Sequence, residues 1–318
     1  MSASCVCAGI LVADHLCAPV PHLPAAGELV HTERLALEPG GCAANTAIAL
    51  ARQGVETAVV GCVGDDVLGR FLTAALDRHG VDVTGVVPRP GHDTSGTLIV
   101  NVAGEDRRFI HCVGANATLR AEDFPSGIVA RAQVLYVGGY LVLPALHPRA
   151  LASLLAGARA SGARTVLDIV LGPEPDLWDR LEPVLPHVDV FLPNTDEARA
   201  LTGKTDALEQ ARTFRTAGAG TVVVTRGAEG AVLASAKGSW RILAPAVPFV
   251  DGTGAGDAFA AGYIAGMLES LDPLDCLRLG TALGASCVTA VGATTSVLDR
   301  AGARDFLAAT DLEIRAVP

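Results

Sequence analysis

Lysine is almost missing from this sequence. Two of 318 residues carry it, Lys204 and Lys237, and arginine supplies the rest of the 24 basic side chains. Any phosphate the chain binds must therefore be met mainly by backbone N–H groups, a metal ion or arginine. Bases are also outnumbered by 34 acids, for a formal net charge of −10. Such a surface repels a phosphate backbone, which argues against a binder of nucleic-acid polymers. Aromatic residues make up only 4 % against 50 % apolar overall, so the core must be built from aliphatic and small side chains. No C-x-x-C pair and no Cys/His cluster with zinc spacing occurs among the eight cysteines, which read as free thiols in a reducing compartment. A membrane span is equally absent. The apolar run Cys5–Ala13 is stopped by Asp14, and nine of the twenty uncharged residues Leu279–Leu298 are Gly, Ser or Thr. The expected location is the cytoplasm.

What is present is an alternation. Apolar strand candidates (Cys5–Val12, Thr57–Val63, Val134–Gly138, Thr165–Ile169, Val188–Leu192, Thr221–Thr225, Ala231–Ala234) alternate with helical patterns. These patterns are Ala43–Gln53, Val67–His79, Pro148–Ser161, Asp196–Leu201, Asp206–Ala217, Gly256–Glu269 and Pro273–Thr289. Continuous rather than alternating apolar runs predict a mostly parallel sheet covered on both faces, an α/β/α sandwich. Two stretches, Val20–Leu37 and Thr94–Val113, break the rhythm and predict a small antiparallel sheet outside the main one. One domain over 1–318 is expected, with lid segments at about 15–37 and 94–113.

The most informative segment is Asp251-Gly252-Thr253-Gly254-Ala255-Gly256-Asp257-Ala258-Phe259, a glycine-rich turn opening a helix. Three phosphate-binding readings compete. A Walker A loop needs a lysine this turn lacks, and Gly203-Lys204-Thr205 has no glycine at the required upstream position. A dinucleotide fingerprint fails because Asp257 stands at its third glycine. An anion hole with a general base fits best: the N–H groups of Gly254, Ala255 and Gly256 face charge, and Asp257 accepts a proton.

This segment resembles the C-terminal signature of the ribokinase-like (PfkB) carbohydrate kinases. Further motifs follow the family's order across nearly the whole chain: Gly40-Gly41-Cys42-Ala43-Ala44-Asn45 with Ala51-Arg52-Gln53-Gly54, then Asn194-Thr195-Asp196-Glu197, then Thr225-Arg226-Gly227-Ala228-Glu229-Gly230. The resemblance implies a ribokinase-like three-layer α/β/α sandwich with a small antiparallel β lid, and ATP-dependent phosphorylation of a hydroxyl of a small sugar or derivative. Alternatives are a nucleoside kinase of the same fold or a non-catalytic sugar- or nucleotide-responsive protein. An NAD-dependent oxidoreductase is disfavoured by the glycine pattern.

By the same resemblance, Asp257 is the base and Gly254, Ala255 and Gly256 form the anion hole. Asp14, Gly40, Gly41 and Asn45 bind the sugar. Asn194, Thr225, Gly227, Gly230, Gly254 and Gly256 line the nucleotide, with adenine near Ala285–Gly292. Asn194 and Glu197 organise Mg²⁺ through water, and Asp251, Thr253, Gly292 and Ser296 surround a monovalent cation such as K⁺. Phe109 or His111 projects onto the sugar from the lid, and a homodimer through the lid is expected because an open sheet edge seeks a partner. Three departures stand out: Gly252 replaces a common Thr, Cys42 stands where ribokinase proper has Lys, and Tyr136–Leu141 lacks the Glu that ribokinase uses near its sugar.

Overall fold

A computed structural model describes residues 4–105 and 108–318. The chain opens with β1 (Cys5–Gly9), β2 (Val12–Cys17), β3 (Leu35–Gly40), α1 (Cys42–Arg52), β4 (Thr57–Gly64), α2 (Val67–Arg78) and β5 (Asp82–Arg89). It continues through β6 (Gly96–Val100), β7 (Arg108–Cys112), α3 (Ser126–Val129), β8 (Val134–Gly138), α4 (Pro148–Ala160), β9 (Arg164–Leu167), α5 (Leu177–Leu181) and β10 (Val190–Phe191). Next come α6 (Thr195–Thr202), α7 (Ala207–Thr216), β11 (Thr221–Thr225), β12 (Ala231–Ser235) and β13 (Gly238–Ile242). The chain closes with α8 (Ala255–Leu268), α9 (Pro273–Cys287), α10 (Arg300–Ala309) and β14 (Ile314–Val317).

The large sheet runs β14-β13-β12-β11-β10-β9-β8-β1-β4-β5. It is parallel from β11 to β5 and antiparallel from β11 to β14. Alternate side chains of one strand feed opposite cores, as the strand period requires. On β1, Cys5 and Cys7 pack with α1, α8 and α9, while Val6 and Ala8 pack with the layer that holds α4 and α7. This is the expected three-layer sandwich. The expected strand Cys5–Val12 breaks at Ile10–Leu11, and its second half, β2, leaves for the other sheet. Buried Asn116 holds that junction: its Oδ1 accepts from Leu11 N at 3.1 Å and its Nδ2 donates to Leu11 O at 2.9 Å.

The small sheet has the order β3-β2-β6-β7. Its outer ladders, β2–β3 and β6–β7, are antiparallel, while β2–β6 is parallel because the long detour through α1, β4, α2 and β5 brings the chain back in the same direction. Asp66 caps α2 through Gly69 N and also accepts from Thr94 N and Thr94 Oγ1, tying the root of β6 to the main body.

Helix α8 is buried on every side from Ala258 to Met267. Its small residues serve close approach to α9: a Cβ on Gly262 would lie 2.6 Å from Leu279 O, and one on Gly266 would lie 3.0 Å from Cys276 Cα. A helix apolar all round belongs to a core, and no helix among the described residues is long and apolar enough to cross a membrane.

Candidate active site

The candidate residues meet where the parallel strands end. Gly254 takes a left-handed backbone, φ 77°, to start α8, and a Cβ there would sit 2.5 Å from Ala293 O, so only glycine fits. Gly256 is the reverse: its Cβ position has no atom within 4 Å, leaving open space over the first turn of the helix. Asp257 follows in that turn, at the positive end of the helix dipole, where the Ala255 N–H of the expected anion hole donates to Gly252 O at 3.3 Å.

Asp257 is joined to the N-terminal motif across 212 residues of sequence. Asn45 Nδ2 donates to its Oδ2 at 2.8 Å, and Thr46 Oγ1 donates to its backbone O at 3.4 Å. Burial raises the Asp257 carboxyl above its ordinary value, and the bonds from Asn45 and the Cys42 thiol pull the other way. Gly40 lies under Asp14, so closely that a Cβ on Gly40 would fall 2.0 Å from Asp14 Oδ2. Gly41, at φ 90°, lets α1 begin against Ile10 O. Burial pushes Asp14 up to about 6, the Thr97 hydroxyl opposes this, and the Asp257 charge adds to it.

Register puts Asp14, Leu16, Glu38, Ala36, Thr97 and Ile99 on one face of the small sheet. Phe109 and His111 share that face, because they lie two residues apart on β7 opposite Ile99 and Thr97. Register thus does not choose between them. His111 Nδ1 meets Thr97 Oγ1 at 3.0 Å, which links it to Asp14. Leu16, Ala36 and Glu38 face Val250, Gly252 and Gly292 across a cleft of ≈ 640 Å³.

Among the residues expected to line a nucleotide, Thr225 ends β11, and Asn194 forms an isolated bridge with it. Gly227 has open space at its Cβ position, whereas Gly230 packs on Ile242 O. Asn194 and Glu197 form a helix capping box. Asn194 Oδ1 accepts from Asp196 N and Glu197 N at 2.9 Å, and Glu197 Oε2 accepts from Asn194 N at 2.9 Å. Burial pushes Glu197 up to about 7 despite that bond, helped by the Asp257 charge. The expected monovalent-cation residues are only partly drawn together. Asp251 accepts from Thr253 N, Thr253 Oγ1 and Gly292 N, so it joins two loops. Ser296 instead donates to Ser286 O and Cys287 O at the end of α9.

Two residues absent from the expected set sit at the centre. Asp168, just after β9, accepts from Tyr136 OH at 3.0 Å and from Ile169 N at 2.8 Å. Burial raises it well above the usual carboxylate range, and the charges of Glu197 and Asp257 add to this. Cys42 Sγ and carboxylate oxygens of Asp168 and Asp257 lie within 4.8 Å of one another. Arg52 acts at one remove: it donates to Thr294 O, Thr295 O and Val297 O, while Gln53 donates to Leu298 O, so the end of α1 straps the loop after α9.

A family model described as pfkB family carbohydrate kinase matches residues 2–300. The chain is 31 % identical over 309 residues to a ribokinase of Haemophilus influenzae, covering 94 % of this chain and 96 % of that one. The structure of Arabidopsis thaliana ribokinase complexed with ribose and ATP superposes with a TM-score of 0.82 at 25 % identity, over 96 % of this chain and 99 % of that one. An E. coli protein solved in complex with ATP and Mg²⁺ superposes with a TM-score of 0.84 at 23 % identity, over 98 % and 100 % of the two chains.

Proposed function

The chain belongs to the pfkB family of carbohydrate kinases, and from that membership we propose that it transfers the terminal phosphoryl group of ATP to a hydroxyl of a small sugar with Asp257 as general base. The observation that carries this reading is the Asn45–Asp257 bond at the open first turn of α8, which fixes the carboxylate beside an anion site. Asp257 would take the proton of the attacking hydroxyl. The N–H groups of Gly254, Ala255 and Gly256 would hold the charge that develops on the transferred group, a task the near-absence of lysine leaves to backbone. Asp14 and Asn45 would orient the hydroxyl, with Gly40 and Gly41 letting the sugar reach the backbone. The underside of the small sheet would close over the site and exclude water, which limits hydrolysis of ATP.

Asn194, Thr225, Gly227 and Gly230 are assigned to the nucleotide, supported by the space left at Gly227. The donor set fits Mg²⁺ held through water. Glu197 has a carboxylate oxygen beyond its capping bond, and Mg²⁺ keeps much of its hydration. When bound, the ion neutralises charge on the phosphates. A K⁺ site is assigned to the loops that Asp251 joins through Thr253 and Gly292, with Ser296 on the following turn. A lid-to-lid homodimer is supported by the exposed Leu35, Leu98 and Ile110 on the outer face and by the exposed edge strand β7.

The test is ADP release over a panel of sugars and nucleosides with ATP and Mg²⁺, repeated with K⁺ replaced by a bulky organic cation. Sugar-dependent ADP release is expected, and it should slow without K⁺. A nucleoside as the best acceptor would transfer the reading to a nucleoside kinase.

A further inference from the structure

The chain crosses from the large sheet to the small one over Ile10, Leu11 and Val12. Among the described residues, no strand pairs with Leu11. Leu11 is fully buried, so its N–H and C=O each need a partner. The Asn116 side chain, 105 residues away in sequence, serves both, accepting from Leu11 N and donating to Leu11 O. A primary amide carries the same donor and acceptor as a peptide group, so this side chain stands in for a neighbouring strand. The Leu11 side chain is pinned as well, since a Cβ on Gly61 of β4 would lie 2.7 Å from its Cδ1. Gly41, which opens α1, rests on the same junction: its Cβ position is 2.4 Å from Ile10 O and 3.1 Å from Val12 Cγ2.

Asn116 is 1 % exposed and sits in the turn after β7, where Ala115 N donates to Asp93 O at 2.8 Å. Ser95, also fully buried, locks the next rung. Its backbone O accepts from Ala13 N at 2.9 Å, and its Oγ donates to Cys112 O at 2.8 Å. The starts of β2 and β6 and the end of β7 thus meet in one buried polar knot. Asp14 is the next residue of β2 beyond that knot.

We propose that Asn116 is a positioning residue for the acceptor: by pairing with Leu11 it fixes where β2 leaves the large sheet, and so sets the place of Asp14 against Asp257. The proposal rests on the sugar-kinase reading and adds to it a residue that acts only through the backbone of β2. Without the amide, Leu11 N and O are buried and unpaired, which drives the junction to shift toward new partners. Asp14 shifts with it. Asp257 stays, because α1 holds it through Asn45 and Thr46. The loss therefore falls on acceptor binding rather than on the base or the nucleotide.

The experiment is a double-mutant cycle on acceptor KM, read by coupled ADP release with D-ribose or D-fructose, whichever the wild type turns over faster. The proteins are the wild type, Asn116→Ala, Asp14→Ala and the double variant, with folding checked by melting temperature and ATP affinity by calorimetry. Asn116→Ala should raise acceptor KM by about tenfold, with kcat and ATP affinity within about threefold of wild type. In the Asp14→Ala background the same change should raise KM by less than about threefold, because the carboxylate it places is gone. A purely structural residue would instead multiply the two effects. Multiplied effects, an unchanged KM in Asn116→Ala, or an equal loss of ATP affinity overturns the proposal. If Asn116→Ala does not fold, Asn116→Ser, which can keep one of the two bonds, replaces it in the cycle. Failure of both to fold assigns Asn116 to stability alone and overturns the proposal. A folded wild type that phosphorylates neither sugar nor any other in the panel removes the sugar-kinase reading and the proposal together, whereas a failed cycle in an active enzyme leaves that reading intact.

Discussion

The two sheets meet water in opposite ways. Strands β1, β4 and β8 are buried at every residue, while β7 is exposed at every residue. The large sheet and its helices hold the parts that must not move: the α8 turn, Asp257 and Asp168. The small sheet carries Asp14, Thr97 and His111 on one face, opposite the exposed face of Leu98 and Ile110. Fixed geometry serves charge stabilisation, because preoriented dipoles need no rearrangement during the reaction. A thin, exposed sheet serves capture and release. Changes in the large sheet should therefore strike kcat, and changes in the small sheet should strike acceptor KM.

The sharpest break is Asp257→Asn. Its kcat should fall by on the order of a thousandfold, with ATP affinity unchanged within about threefold. Steady-state kinetics with calorimetric ATP titration checks this, and near-normal kcat would remove the base from the mechanism. On the small sheet, Asp14→Ala should raise acceptor KM by about tenfold or more and leave kcat within about threefold, as for a lost charged hydrogen bond. An equal drop in kcat would erase the division between the sheets.

Acidity provides a milder test. Asp14 at about 6 and Glu197 at about 7 should give kcat/KM an acid limb that rises from about pH 5.5 to about pH 7.5. Stability of the ligand-free enzyme should run the other way. The raised carboxyls keep protons in the folded chain that the unfolded chain has released, so raising pH from the ordinary carboxylate range through 6 and 7 removes stability. Melting scans across that range should show the decline, and Glu197→Gln should flatten it. The smallest effect is expected at the outer face. Ile110→Lys should shift the assembly from dimer to monomer in light scattering, while the kcat of the monomer stays within about threefold.

Much of the turn that opens α8 was legible in the sequence, because a glycine-rich turn before an apolar helix constrains the backbone strongly. Gly254 needs its left-handed conformation, and Gly262 and Gly266 need to be small where α9 approaches. Asp168 was hidden because it lies inside the run Thr165–Ile169, where it reads as part of a buried strand. A carboxylate at the C-terminal end of a parallel strand was the available signal. Arg52 sat in plain view within a recognised motif, yet its work on the loop after α9 depends on contacts more than 240 residues away. Strands β5 and β13 escaped notice because their half-exposed residues lack a continuous apolar run. Helix α10, with a single fully buried residue, offers a similarly weak pattern.

The Asn45–Asp257 bond also sets a timetable. During synthesis, Asn45 is made 212 residues before its partner, and β1 waits for β4 on one side and then for β8 on the other. On the proposed reading, a ribosome-bound copy would therefore have the residues assigned to the sugar long before it has Asp257 and the turn assigned to the phosphoryl charge. On that reading activity would arrive only with the final helices, leaving an unfinished or prematurely released copy no means to spend ATP.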